Sequence, residues 1–172
     1  YIDFSGGKFE LGGCSWGQTQ NTLGNETSDA NATTLKSTFN FIQQLIYDDL
    51  VLAGHDVAAG GLITPLLEMN FPNHSGAMEI DLSIMPESDI IKLLFAEKPA
   101  TVLQVNAAAG SLLESSSVIF YSIGSPIASR QLSITHEDFT LNLNIDDYRN
   151  QWSHTSFLLD SQQTSPHLAK LR

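Results

Sequence analysis

Basic residues, cysteine and long hydrophobic runs are all scarce in this sequence of 172 residues. Eight Lys and Arg residues stand against 19 Asp and Glu residues, so the formal net charge at pH 7 is −11 and the chain repels a phosphate backbone. This balance argues against nucleic-acid binding. Charged residues make up only 16% of the chain, against about 25% in an average globular protein, which indicates a surface that neighbours partly cover.

The lone Cys14 rules out an internal disulfide and is typical of a reducing compartment, which favours the cytoplasm. No apolar run approaches the roughly 18 residues of a membrane span, and residues 1–4 do not resemble a signal peptide. The chain lacks an initiator Met and begins inside a predicted strand, so we expect a piece of a longer polypeptide. Three glycan-acceptor triplets, at Asn25, Asn31 and Asn73, are interpreted as chance because no signal peptide accompanies them.

Hydrophobic periodicity predicts one domain over residues 1–172, with an entry strand and loop over 1–31 and an α/β core with a C-terminal helix over 32–172. Helices are predicted over residues 32–50, 62–69, 86–95, 107–113 and 145–159, and strands over 1–4, 9–11, 51–53, 77–82, 100–105, 117–123, 130–135 and 139–143. Alternation of strands and helices, followed by a hairpin, indicates an α/β sandwich of α+β character around a mixed sheet.

Two of these helices carry specific burial predictions. Apolar residues in the first helix recur at spacings of three and four, which predicts one buried face, made of Leu35, Phe39, Ile42, Leu45 and Ile46. We expect the last helix to pack on its own sheet, with candidates for burial at Tyr148, Trp152, Thr155, Phe157 and Leu159.

Residues 54–62 form the most informative segment for function, a strand end followed by a small-residue turn and the start of a helix. Free backbone N–H groups at such a place suit phosphate or a metal-bound nucleotide, and Gly60 and Gly61 allow a ligand to come close. Asp56 offers the hard oxygen ligand that Mg²⁺ prefers. Tight packing of the turn, with Asp56 as an N-cap, is an alternative that stays open.

Other catalytic or metal sites are not indicated by the spacing of residues. The five histidines lack the close pairs of a zinc site, and Cys14 has neither a partner cysteine nor a nucleophile signature, so we interpret it as a packed thiol. Nucleophile-elbow, Walker and dinucleotide-binding motifs are absent from the sequence. The residues alone therefore predict one anion or Mg²⁺ turn and no catalytic residues.

Four segments carry a resemblance to a known enzyme family. Residues 51–69 contain His-Asp-x-x-x-Gly-Gly-Leu followed by Leu-Glu-Met, and residues 11–18 read Leu-Gly-Gly-Cys-Ser-Trp-Gly-Gln. Residues 94–105 combine Leu-Phe-Ala-Glu with Val-Leu-Gln-Val, and residues 148–156 read Tyr-Arg-x-x-Trp-Ser-x-Thr-Ser. Taken in chain order, and over nearly the whole chain, the segments resemble parts of the large phosphoribosylformylglycinamidine synthases.

The resemblance implies the second aminoimidazole-ribonucleotide-synthetase-type C-terminal domain of that multidomain enzyme, with α/β/α layers and a fold related to ferredoxin-like topology. It also implies partners within one polypeptide: an ATP-binding N-terminal-type domain, a sister C-type domain and a glutaminase domain. The parent enzyme would be an ATP-dependent carbon–nitrogen ligase of purine biosynthesis, which takes its amido group from glutamine and converts formylglycinamide ribonucleotide to the formylglycinamidine. We expect no synthase activity from the isolated 172 residues.

In that family the aspartate of the His-Asp pair helps to bind Mg²⁺ of a nucleotide in an auxiliary, structural site, which implies this role for Asp56. The nucleotide would lie at Ala58, Gly60 and Gly61. The family has Ser and Asp where this chain has Ala58 and Ala59, so a hydroxyl contact and a carboxylate are missing. We therefore expect Mg²⁺ and ATP or ADP in the parent enzyme and no tightly bound cofactor on the isolated chain.

Three hypotheses about function remain at this stage. The first is a ligase domain with an auxiliary Mg-nucleotide site, and the second is a non-catalytic module that packs against its sister domain and binds no nucleotide. The loss of both polar side chains at Ala58 and Ala59 favours the second for this part of the enzyme. A secreted glycoprotein fragment, which rests on the glycan-acceptor triplets alone, is the weakest of the three.

Overall fold

The computed structural model describes residues 1–24 and 26–169 and contains both helices and strands, which confirms the α+β class. Its helices are α1 (Ser15–Thr19), α2 (Ala32–Tyr47), α3 (Ile63–Glu68), α4 (Ile90–Phe95), α5 (Ala107–Ser115), α6 (Ile145–Gln163) and α7 (Pro166–Ala169). Its strands are β1 (Ile2–Asp3), β2 (Val51–Val57), β3 (Ala77–Asp81), β4 (Ala100–Val105), β5 (Ile119–Phe120), β6 (Gly124–Ile127), β7 (Gln131–His136) and β8 (Phe139–Asn144).

The strands form two four-stranded sheets within the described residues, where we expected one mixed sheet. The first has the order β2-β4-β1-β5 and its pairs are all antiparallel. The second has the order β6-β3-β7-β8, and only its β3–β7 pair is parallel. Periodicity cannot reveal this division, because a local pattern fixes which face of a strand is buried but not which strand becomes its neighbour.

The core takes side chains from both sheets. Its larger cluster joins β2, β3, β4, β7 and β8 to helices α3, α4 and the start of α6, and Leu66, Leu132 and Ile134 within it are fully buried. Burial of each such side chain stabilises the fold by roughly 1.5–3 kcal/mol relative to an exposed one. A smaller cluster contains Ile42 of α2 and Leu113 of α5, together with residues of the entry segment.

Helix α2 begins and ends close to the predicted bounds, but its burial differs from the expectation. Ile42 and Leu45 are buried, which confirms part of the predicted face, and Thr38, which was not predicted, is buried beside them. Phe39 is 53% exposed and Ile46 is 49% exposed, and Leu35 is also exposed. Fewer apolar side chains of α2 are buried than the spacing predicts. The other apolar side chains of the helix face away from the described structure.

The prediction that the last helix packs along its own sheet is wrong. Only Ile145 of α6 is buried, whereas Trp152 is 63% exposed. The other predicted contacts are also exposed, at Tyr148, Thr155, Phe157 and Leu159. The helix contacts the rest of the chain mainly through its first half, because its connection to β8 fixes only that end.

Further differences concern short elements. Residues 9–11 are not a strand, β2 continues to Val57, and β6 lies in a segment for which no strand is predicted. Cross-strand pairing with β4 overrides the low strand propensity of Gly54 and Asp56. Pro126 is tolerated in β6 because this strand lies at the edge of its sheet, where a missing N–H costs nothing.

The three glycan-acceptor triplets have different structural settings. Asn25 lies outside the described residues. Asn31 is the N-cap of α2, where its side chain accepts hydrogen bonds from the N–H groups of Thr33 and Thr34. Asn73 is exposed in the connection between α3 and β3. None of the helices in the described residues is long and apolar enough to span a membrane.

Candidate functional site

Asp56 lies near the end of β2, which is an edge strand of the first sheet. It pairs in register with Thr101 of β4, and its side chain is 79% exposed. Asp56 is not an N-cap, because Leu62 occupies that position of α3. Its carboxylate is therefore held on a paired strand and faces solvent, where an external ligand can reach it.

His55 and Glu68 form a polar contact beside Asp56. His55 Nε2 lies 3.0 Å from Glu68 Oε2, and His55 Nδ1 lies 2.8 Å from the backbone oxygen of Asp56. The second carboxylate oxygen of Glu68 accepts a hydrogen bond of 3.0 Å from Trp152 Nε1 of α6. Glu68 therefore connects β2, α3 and α6, and it restrains the strand from which Asp56 projects.

The turn after β2 has backbone angles that glycine adopts without strain. Gly60 and Gly61 have φ values of +90° and +74°, in the region that side chains disfavour. A Cβ at Gly61 would lie 2.5 Å from the backbone oxygen of Leu94, so α4 packs directly against the turn. The Gly61 N–H donates to the carbonyl of Ala58, and the side chains of Ala58 and Ala59 are exposed.

Glu97 is a site residue that the sequence analysis placed in a motif without giving it a role. One oxygen of its carboxylate accepts hydrogen bonds from two backbone amides, Gly60 and Ser15, each at 2.7 Å. Partial burial raises the pKa of Glu97, but the hydrogen bonds from the Gly60 amide and from the side chain and amide of Ser15 lower it by more, so its pKa lies below the ordinary value. The Gly60 amide, which we expected to face phosphate, already donates to a carboxylate of the same chain.

A buried ion pair lies behind this turn and was also missed. Lys98 Nζ lies 3.0 Å from Asp3 Oδ2, and the two side chains are 1% and 0% exposed. Asp3 also accepts hydrogen bonds from Ser5 and from the Gly7 N–H, while the Lys98 ammonium lies 3.4 Å from the centre of the Phe9 ring. No periodicity identifies this pair, because its partners are 95 residues apart.

The side chains available as metal ligands at the turn limit which metal ions it can bind. The described residues contain no group of three or more His, Cys, Asp and Glu side chains placed to bind a metal by themselves. A single exposed carboxylate fits Mg²⁺, which usually takes one or two protein carboxylates and completes its shell with phosphate oxygens and water. Asp56 therefore fits a metal that arrives with a nucleotide.

Cys14 and a cavity both lie apart from the candidate site. Cys14 is buried and its Sγ accepts a hydrogen bond from the Gly17 N–H at the start of α1, which confirms a packed thiol. A cavity of about 410 Å³ has walls from both sheets and α5, including Met78, Val102 and Tyr121. Its walls include none of residues 54–62, so the cavity is separate from the candidate site.

Comparison with known proteins gives two kinds of similarity. The chain is 31% identical to phosphoribosylformylglycinamidine synthase of Dictyostelium discoideum and 32% identical to that of Homo sapiens, in each case over 96% of this chain. It covers 14% and 13% of those proteins, so it spans about an eighth of the relatives' length. No family model matches the sequence.

Solved structures show a similar fold at low sequence identity. Thermotoga maritima PurL in complex with ATP matches with a TM-score of 0.57 and 14% identity, over 66% of this chain and 21% of that one. The same protein in complex with FGAR matches with a TM-score of 0.59 and 12% identity, over 74% of this chain and 23% of that one. These structures support the fold alone.

Proposed function

Starting from its homology to one segment of the phosphoribosylformylglycinamidine synthases, which covers 96% of the chain, we propose that this chain works as one domain of such an enzyme. The whole enzyme would be a cytoplasmic ligase that uses ATP and glutamine to amidate formylglycinamide ribonucleotide in purine biosynthesis. An ATP-binding domain, a sister domain and a glutaminase domain would complete the polypeptide. The observation that carries this proposal is sequence identity above 30% to relatives that bear this name.

Within that enzyme we propose that the Asp56 turn holds a structural Mg-nucleotide. Asp56 would bind the metal, and the backbone of Ala58, Gly60 and Gly61 would lie beside the nucleotide. When held by Asp56, Mg²⁺ would neutralise phosphate charge. Three of the similar Thermotoga maritima structures are described as complexes with ATP, AMPPCP and ADP, which supports a nucleotide in proteins of this fold.

The contribution of this chain to the reaction would be binding and orientation. The backbone pairing of β2 with β4 fixes the position of Asp56, and Glu68 fixes His55 beside it. The strand pairing and the Glu68–His55 contact position groups; they transfer no proton and form no covalent bond. We propose that the domain holds the enzyme in shape and that the 172 residues alone have no synthase activity.

A second candidate is a packing module that binds no nucleotide. Two observations favour it: Ala58 and Ala59 offer no polar side chain, and the Gly60 amide already donates to Glu97. Exposed apolar residues on α2 and α6 would then be the functional surface, covered by the other domains. The two candidates share the fold and differ in whether the Asp56 turn holds a Mg-nucleotide.

Calorimetric titration of ADP with Mg²⁺ into the polypeptide that contains this segment separates the candidates. We expect Asp56→Ala to weaken one class of nucleotide site by about tenfold or more, because a metal ligand is lost. Asp138→Ala, which removes an exposed carboxylate from the β7–β8 turn, is the matched control. Equal stoichiometry and affinity in the parent and in Asp56→Ala would remove the metal role and leave the packing module.

A further inference from the structure

Two backbone amides from distant parts of the chain converge on one oxygen atom. Ser15 and Gly60 each donate an N–H to Glu97 Oε1 at 2.7 Å. Their separations from Glu97 along the chain are 82 and 37 residues, so the contact joins three segments that the sequence keeps apart. Hydrogen bonds from amides to a carboxylate are charge-assisted and stronger than those between neutral groups.

This arrangement has the chemistry of an anion-binding site that is occupied by a carboxylate of the same chain. Backbone N–H groups that point at one place bind anions in proteins, as the successive N–H groups of phosphate-binding turns do. Here the two N–H groups come from separate segments, those of Ser15 and Gly60. Gly60 has a left-handed backbone conformation, and its N–H points at Glu97. The glutamate oxygen occupies the place that an oxygen of a bound anion would take.

Packing around Glu97 keeps it in this place. The Trp16 ring stacks on Phe95 at a centroid distance of 6.2 Å, which fixes the segment containing Ser15 against α4. Gly61 contacts the backbone of α4 from the other side, where a side chain would collide with Leu94 and Phe95. The carboxylate therefore lies between two segments that contact the same helix, and it cannot leave without breaking both hydrogen bonds.

We infer that Glu97 is an internal anion that excludes phosphate from the Gly60 turn. A nucleotide at Asp56 would then be held through its metal, and its phosphates would not receive the Gly60 amide. This consequence for a nucleotide rests on the proposed function, but the exclusion itself concerns only the two amides. Glu97 is accordingly a specificity-determining residue and takes no part in catalysis.

Thermal unfolding of the 172-residue chain in inorganic phosphate and in chloride, at equal ionic strength, tests the inference. Phosphate stabilises proteins in general, so the measured quantity is the phosphate-minus-chloride difference in Tm. We expect this difference to be larger in Glu97→Ala than in the unmodified chain, by about 2 °C or more, because phosphate binds the vacated amides of the folded state. Glu114→Ala, which removes an exposed glutamate of α5, is the matched control and should behave like the unmodified chain.

Glu97→Gln tests whether phosphate is excluded by an oxygen atom that fills the position or by the negative charge of the carboxylate. Its amide oxygen still accepts both hydrogen bonds, so we expect its phosphate-minus-chloride difference to equal that of the unmodified chain. An equal difference in Glu97→Ala and in the unmodified chain would overturn the inference. Neither result depends on Asp56, so failure here leaves the metal role of Asp56 intact, and loss of that role leaves the exclusion intact.

A second measurement does not require Glu97→Ala to fold. Amide resonances of Gly60 and Ser15 in the unmodified chain are followed while inorganic phosphate is raised to about 10 mM, above the range of a weak millimolar site. We expect both resonances to stay in place, since their N–H groups already have a carboxylate partner. Saturable movement of the Gly60 resonance would overturn the inference directly.

Discussion

Asp3 and Lys98 are the clearest case of single residues on which the fold depends. Their side chains are almost completely buried and lie 3.0 Å apart. Burial lowers the pKa of the Lys98 ammonium, and the charge of Asp3 opposes that effect. A buried pair of this kind adds little net stability by comparison with an apolar pair, but removal of one partner leaves the other charge in a medium that cannot solvate it.

Lys98→Met is therefore expected to destabilise the chain strongly. Loss of the ammonium leaves the Asp3 carboxylate buried with hydrogen bonds but no counter-charge, which costs about 3–5 kcal/mol in the free energy of unfolding. Urea unfolding at neutral pH measures this loss. Lys92→Met is the matched control, because Lys92 is partly exposed and lies 3.8 Å from Glu87, a pair worth about 0–1 kcal/mol. Similar losses in both variants would show that burial of the Asp3 pair has no special effect.

At the scale of elements, apolar periodicity was sufficient wherever one local pattern decides the structure. It located α2, α5 and the hairpin of β7 and β8 close to their observed bounds. It also located α4, but the predicted start at residue 86 is wrong, because the helix begins at Ile90 after its N-cap Asp89. It failed for α1 and β6, which contain little apolar sequence and are stabilised by partners elsewhere in the chain. Gly124 in β6 illustrates this, since a Cβ added at this position would collide with the backbone oxygen of Glu79 on the neighbouring strand.

The candidate site also contains residues that the sequence identifies and residues that it does not. Asp56 and the glycines after it could be selected from the sequence, because carboxylate and glycine chemistry is visible in a short segment. The amide partners of Glu97 could not, because each is chosen by the tertiary fold and not by spacing along the chain. The same reason explains why the sequence indicated a free Gly60 amide where the structure has an occupied one.

Arg130 at the start of the β7–β8 hairpin holds α6 to the body of the molecule. Its Nη1 donates to the backbone oxygens of Gly76 and Asn70 at 2.8 and 3.3 Å, and its Nη2 lies 2.7 Å from Asp146 in the first turn of α6. The hydrogen bond from Arg130 lowers the pKa of the Asp146 carboxyl. One guanidinium therefore connects the α3–β3 connection, the second sheet and the last long helix.

Arg130→Met is predicted to lower the free energy of unfolding by about 1–3 kcal/mol, because two partly buried carbonyl oxygens lose their donor. Chemical denaturation measures the loss, and amide exchange should increase most in the first turns of α6. Arg149→Met is the control, since Arg149 pairs with Asp146 at 3.2 Å and is more exposed than Arg130. A smaller loss in Arg130→Met than in Arg149→Met would contradict the role assigned to Arg130.

At the scale of the whole molecule, an acidic chain carries large exposed apolar side chains on two helices. On α2 these include Phe39 and Tyr47, and on α6 they include Trp152, Leu158 and Leu159. Exposed apolar area of this kind favours association, whereas the net charge of −11 opposes it through repulsion between copies. The balance between these two effects depends on salt, because salt screens the repulsion and leaves the apolar attraction in place.

The 172-residue chain should therefore associate more strongly as salt is raised from about 0.05 M to about 0.5 M, over which the range of the repulsion shortens severalfold. Sedimentation equilibrium measures the association. The double variant Leu158→Gln and Leu159→Gln should associate less at every salt concentration, with a change in the free energy of unfolding within about 0.5 kcal/mol, because both side chains are about half exposed. Association that weakens with salt would instead indicate that charged groups hold the copies together, and α6 would then not be the apolar surface responsible.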